Sequence, residues 1–202
     1  MEKEEKNKLP LGFKVGVIIC SIIFVSIVSF AVYFYFTAPK EIKNEELDGG
    51  SINLTYSDEE EILTLSNLYG LTDEQGISLN SADLYFDFTL DVELDEASKI
   101  EYEISVVPQI KSTVPVNSIK VYLEKLTSGS YTATNIPVLL NPSKKESKLG
   151  SKAGSMVIYG DSTQKSKKEN YRLRAWVDGS TGYEIKPTDI ISLKVEVNGK
   201  AS

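Results

Sequence analysis

Carboxylates are the side chains whose number and spacing could most readily do chemistry in this sequence. Asp91, Glu93, Glu101 and Glu103 sit at alternate positions of two neighbouring apolar–polar runs, with Asp87 on the same face of the first. Such a group could bind Ca²⁺, which takes several oxygen ligands. It could supply the acid pair of a glycosidase, or dock a basic partner. A simple register sharpens the point. If residues 95–99 form a loop and Leu94 faces Ile100, then Val92 meets Tyr102, Leu90 meets Ile104 and Phe88 meets Val106. The same hairpin sets Glu93 opposite Glu101 and Asp91 opposite Glu103. Directly opposed like charges cost a few tenths to ~1 kcal/mol per pair, so something must offset them. The offset is expected from strand bases such as Arg172 and Arg174, from solvent, from Ca²⁺ or from a partner.

Arg172, Arg174 and Trp176 share the polar face of one alternating run. They could form a cation–π or carbohydrate-stacking platform, although a Trp so placed more often covers the edge of a core. The partner-binding candidates are therefore Asp87, Asp91, Glu93, Glu101, Glu103, Arg172, Arg174 and Trp176. The first acidic four after Asp87 double as weak metal candidates. No Asp/Asn-Gly calcium loop accompanies them, and no other cofactor is expected.

Catalytic signals are thin. The sequence has no His, and its one Cys, Cys20, lies in an apolar run. Ser-His-Asp and Cys-His nucleophiles, Cys/His zinc sites and a structural disulfide are thereby excluded. Ser162-Thr163-Gln164-Lys165 matches an S-x-x-K element, but its companion elements are missing and Ser180-Thr181-Gly182 lacks the Lys. Residues 150–154 read as a flexible loop, not a phosphate cradle. Asn53-Leu54-Thr55 is a glycosylation sequon, meaningful only in a eukaryotic secretory pathway.

Strands are expected to carry these residues. Leu84, Phe86, Phe88, Leu90, Val92 and Leu94 alternate with polar residues, as do Ile100, Tyr102, Ile104 and Val106. Ile119, Val121 and Leu123, then Tyr171, Leu173, Ala175 and Val177, then Ile191, Leu193, Val195 and Val197 repeat the period of two. Shorter strands are expected at 51–56, 61–65, 130–134 and 155–159, and a short turn within 72–80. Residues 141–155 and 160–170 read as long mobile loops. One-sided alternation indicates antiparallel sheets. The expected class is mainly β: an N-terminal transmembrane helix followed by an antiparallel two-sheet β-sandwich, immunoglobulin-like or jelly-roll. Residues 41–111 hold 18 acids and three bases, whereas 112–202 hold eight acids and 14 bases. Opposite signs suggest halves that face each other, and the acidic balance argues against nucleic acid.

Residues 15–37 carry no charge. As a helix they would be roughly 34 Å long, enough for a ~30 Å hydrocarbon core. Tyr33 to Phe36 suit the headgroup zone, and Pro39 ends the helix. The run is longer than a signal-peptide core, and Pro39 blocks cleavage after Ala38, so an uncleaved anchor is expected. A prepilin-type cut after Gly12 lacks the acidic residue that such helices carry, and Ile19 spoils a lipidation reading of Cys20. Lys3, Lys6, Lys8 and Lys14 precede the span, which puts the N-terminus in the cytoplasm.

The expected organisation is a cytoplasmic tail (1–14), a transmembrane anchor (15–38), a stalk (39–50) and an extracytoplasmic sandwich (51–202). It resembles many anchored bacterial surface modules, a likeness too generic to give any residue a role. The expected function is a non-catalytic, single-pass membrane protein that presents a sandwich at the cell surface for binding or assembly. The alternatives are a pilus or surface-fibre subunit, self-associating through sheet edges, and an extracytoplasmic hydrolase. Expected partners are the membrane and a protein, with carbohydrate a lesser candidate.

Overall fold

The computed structural model describes residues 21, 23–29, 40–56, 61–78 and 85–202. The chain divides into two compact units, Met1–Ala38 and Pro39–Ser202. In the first, Ser21 and residues 23–29 are helical, with Ile23, Phe24, Val25, Ile27 and Val28 all exposed. The rest of the expected tail and anchor lies outside the described residues. Among the described residues no helix is long and apolar enough to cross a membrane.

The second unit is a pair of sheets. Its strands are β1 (Lys40–Leu47), β2 (Gly50–Tyr56), β3 (Ile62–Leu65), β4 (Gly70–Leu71), β5 (Tyr85–Leu94), β6 (Ile100–Pro108), β7 (Ile119–Thr127), β8 (Ser130–Ala133), β9 (Val138–Leu139), β10 (Met156–Thr163), β11 (Lys167–Asp178) and β12 (Ile191–Ala201). The first sheet runs β1-β2-β5-β11-β7-β8, with β4 beside β11 and β9 beside β7; the second runs β10-β6-β12-β3. Among the described residues only the two-residue β4–β11 pairing is parallel. The expected mainly-β, two-sheet antiparallel architecture is thus what forms.

Period-two alternation explains the core. Phe86, Phe88, Leu90 and Val92 of β5 point inward beside Tyr171 and Leu173 of β11. Across from them lie Tyr102, Ile104 and Val106 of β6 and Leu193, Val195 and Val197 of β12. Phe88 stacks on Tyr171 at 5.5 Å between centroids. Tyr56 fills the same layer and donates its hydroxyl to the Val195 carbonyl at 2.9 Å, satisfying a phenol that is otherwise buried. Burial raises the Tyr56 pKa above its ordinary value.

The 84–107 hairpin does not form. β5 pairs with β2 and β11, whereas β6 pairs with β10 and β12 in the other sheet. The apolar residues matched in the hairpin register share one core but stand in opposite sheets. Glu93 and Asp91 therefore never oppose Glu101 and Glu103. The stalk expected at 39–50 is also corrected: Lys40–Leu47 is β1, antiparallel to β2 across a turn at Asp48 and Gly49. Its charges hid a strand whose partners lie on one side only.

Two expected loops are more ordered than their composition suggested. Most of 160–170 is strand, because β10 runs to Thr163 and β11 opens at Lys167. The 141–155 segment is pinned, with Ser151 and Ser155 buried and the Ser143 and Ser147 N–H groups bonded to Ser155 and Ser151 carbonyls. Within 72–80 the turn is a short helix, Asp73–Ile77, closed by a capping box between Thr72 and Gln75.

Candidate functional site

The outer face of the first sheet holds six of the eight candidates. Arg172 lies opposite Asp87 in the β5–β11 register and grips it with two hydrogen bonds of 2.7 Å. Its guanidinium is stacked between the rings of Tyr85 (3.5 Å) and Tyr131 (4.1 Å). The hydrogen bonds to Asp87, stronger than the opposing desolvation, raise the Arg172 pKa. The guanidinium thus occupies one face of each ring. Arg174 is 4% exposed and pairs with Glu124 at 2.7 Å. Trp176 is 2% exposed and lies beneath the short helix. A Cβ on Gly76 would come within 2.3 Å of the indole, so only glycine lets the helix sit there. Trp176 is neither an open platform nor a lid on the core edge; it is the outer-face cushion for that helix. Nothing described beside it accepts its Nε1–H.

The acidic quartet is split. Asp91 faces Lys168 across the β5–β11 ladder, 3.2 Å from its ammonium, and Glu93 lies within 3.4 Å of the Ser51 hydroxyl. In the second sheet Glu101 pairs with Lys99, which lowers its pKa by hydrogen bonding. Glu103, 7% exposed, accepts from the Ser147 hydroxyl and from the Ser151 N–H at 3.2 Å. It is a buried anchor for the 141–155 segment. A Ca²⁺ site built from Asp91, Glu93, Glu101 and Glu103 is ruled out by this division between sheets. Among the described residues no group of three or more His, Cys, Asp or Glu is gathered for a metal. Arg172 pairs with Asp87 and Lys168 with Asp91, whereas Arg174 serves Glu124.

Two clusters escaped the sequence reading. One lies between the sheets where β10 passes into β11. Lys167 contacts Asp161 at 2.8 Å and Glu169 at 3.2 Å, and Lys125 contacts Glu169 at 2.6 Å. The Tyr102 hydroxyl reaches Asp161 (3.2 Å) and Glu169 (3.1 Å), and the Tyr171 hydroxyl donates to Glu169 at 2.7 Å. Desolvation opposes charge here. Nevertheless the Lys167 contacts and, for Glu169, those of Lys125 and Tyr171 hold both carboxyl pKa values low, while Lys167 is held above its ordinary range. All charges are matched, so the cluster is a polar clamp on the seam. Its signal was visible: Lys167, Glu169 and Tyr171 share one parity.

The other is an open cleft of about 730 Å³ beside the short helix, lined by Gly70, Thr72, Asp73, Lys120, Asp178 and Ser180. Lys120 lies 2.6 Å from Asp73 and 3.4 Å from Asp178. The Asp73 hydrogen bond raises the Lys120 pKa. Burial works against the Asp178 charge, but the Ser180 N–H and Lys120 hold that carboxyl low. The triad ties helix to sheet. Compared with known proteins, the chain matches no family, no curated protein and no solved structure.

Proposed function

We propose that this chain is a non-catalytic, single-pass membrane protein, N-terminus in the cytoplasm, that presents its β-sandwich outside the cell for binding or assembly. The observation that carries this is the stretch 23–29: a helical segment with Ile23, Phe24, Val25, Ile27 and Val28 all exposed. Large apolar side chains so exposed on a helix are at home in lipid or a protein core, and the uncharged run 15–37 around them has, as sequence, the number of residues that a membrane span needs. Support for a non-catalytic role comes from what the polar groups already do. Arg172, Arg174, Lys120, Lys125 and Lys167 are each engaged by carboxylates, which leaves them as fasteners of the fold.

The test is fractionation of cells that make the full chain with tags at both ends. The expected result is sedimentation with membranes that survives alkaline carbonate, with protease added outside removing only the C-terminal tag. Release by carbonate, or recovery of the sandwich from the medium, would remove the basis of the proposal. Mild-detergent co-purification then names a binding partner.

A further inference from the structure

Bases on the strands and bases on the 141–155 strap are treated differently within the sandwich. Lys120, Lys125, Lys167, Lys168, Arg172 and Arg174 are each paired with a carboxylate. Lys144, Lys145, Lys148 and Lys152 are exposed, and none joins an ion pair among the described residues. All four lie on the strap, whose only acid is Glu146. The strap is a fixed structure. Its Ser143 N–H donates to the Ser155 carbonyl (2.7 Å) and its Ser147 N–H to the Ser151 carbonyl (2.9 Å). The Ser147 hydroxyl closes the tip by accepting from the N–H groups of Leu149, Gly150 and Ser151. Side chains of the second sheet then fasten it. Glu103 of β6 holds Ser147 and Ser151, and Asn198 of β12 donates to the Ser151 hydroxyl at 3.1 Å. Four lysines are thereby rooted on a fixed backbone over the outer face of that sheet. Charge of the opposite sign is left over on two touching turns. Asp95, Glu96 and Ala97 each donate an N–H to the Gly49 carbonyl. Asp48, Asp95 and Glu96 are exposed there and likewise join no ion pair among the described residues. The adjoining 164–166 turn, tied in by the Leu94 N–H to the Ser166 hydroxyl, adds only Lys165.

We propose that the strap docks the turns bearing Asp48, Asp95 and Glu96 of a second copy of this chain. The inference rests on the anchored, assembling reading above and names the partner. Each group is the chemical complement of the other, and each is left unpaired by its own copy. Matched patches of this kind fix register and partner choice more than raw affinity. The chain's net charge of −7 opposes approach. Salt near 0.15 M screens that repulsion beyond ~8 Å, whereas charges at ion-pair distance still attract. One exposed pair contributes little. Several pairs on a fixed strap, between copies confined to one membrane, act at raised effective concentration.

The experiment places the full chain in phosphatidylcholine vesicles as an equal mixture of unlabelled and nitrogen-15-labelled copies. A water-soluble carbodiimide then joins Lys to Asp or Glu where they touch. The expected result is mixed-label peptide pairs linking the strap lysines to Asp48, Asp95 or Glu96. These links should fall several-fold in about 1 M salt, where the screening length drops to ~3 Å. K148E/K152E and D95K/E96K chains, each checked for native Trp176 emission, should lose most of the links alone. Mixed together they should regain them, because the reversed strap and the reversed turns attract. Links found only between like-labelled peptides place the contact within one copy and overturn the proposal. Links that mixing the two variants does not restore overturn it as well. A strap that forms no links but retains added polyphosphate is a polyanion site, and the proposal fails. Chain that does not float with the vesicles removes the anchored reading; the same links are then sought in solution, where they decide the docking alone.

Discussion

Replacing Glu124 by Gln keeps the size and one acceptor of the side chain but removes its charge from a guanidinium 2.7 Å away. Arg174 is 4% exposed, so water cannot take over the lost role. Breaking a buried pair on one side costs about 3–5 kcal/mol, and the retained Gln oxygen favours the lower figure, about 3 kcal/mol. For a domain of this size that corresponds to a fall in Tm of about 6–12 °C. Asp91→Asn is the control, because its partner Lys168 is largely solvated; a change of about 0–1 kcal/mol is expected. The decisive variant is the double replacement Glu124→Leu with Arg174→Met. Removing both charges together spares their desolvation, so the double variant should lie within about 1 kcal/mol of the parent. The assay is urea unfolding of the detergent-solubilised chain, read by Trp176, the sequence's single Trp. A loss below about 1 kcal/mol for Glu124→Gln, or a double variant as unstable as the two singles summed, would show that the pair is hydrated and uncoupled, and the reasoning fails.

Gly76→Ala should push the short helix off Trp176, since the new Cβ has 2.3 Å where it needs over 3 Å; a red-shifted indole emission and a loss of about 1–3 kcal/mol are expected, and an unshifted spectrum would count against the packing. Stability should also fall with acid. Asp161, Glu169 and Asp178 have folded pKa values below their unfolded ones, so their contribution is present above the ordinary carboxylate range and is lost as pH drops through the folded values. At the alkaline end Tyr56, Tyr102 and Lys167 are raised, so their contribution is whole below about pH 10 and is lost as pH rises beyond it. Unfolding midpoints across both limbs check this; a flat acid limb would contradict the seam clamp.

Much of the fold was legible because burial of one strand face is a local property. Phe86, Phe88, Leu90 and Val92 alternate with polar residues whichever sheet they join, and all four are buried. The helix at Asp73–Ile77 had its signature in Thr72 and Gln75, the two halves of a capping box. Where polar residues face inward the signal failed. Lys167 and Glu169 lie on the inner parity of β11, and their charges made a strand resemble a loop until Lys125, Asp161 and Tyr102 were there to satisfy them.

The candidate site shows the division most clearly. A mainly β domain, the face on which each strand carboxylate and arginine lies, and the exclusion of His- or Cys-based nucleophiles follow from residue types and their alternation alone. Which residues meet is set by how the strands assemble into sheets. β5 and β6 are adjacent in the chain and complementary in pattern, yet they join different sheets, so a single acidic patch became Asp87 held by Arg172, Asp91 beside Lys168 and Glu103 sealed under Ser147. Alternation is written residue by residue, because it follows from the two-residue period of a strand. Sheet membership is not, because it depends on competition among partners far away in sequence, and the like charges that a hairpin would have opposed are kept apart by the choice of sheet.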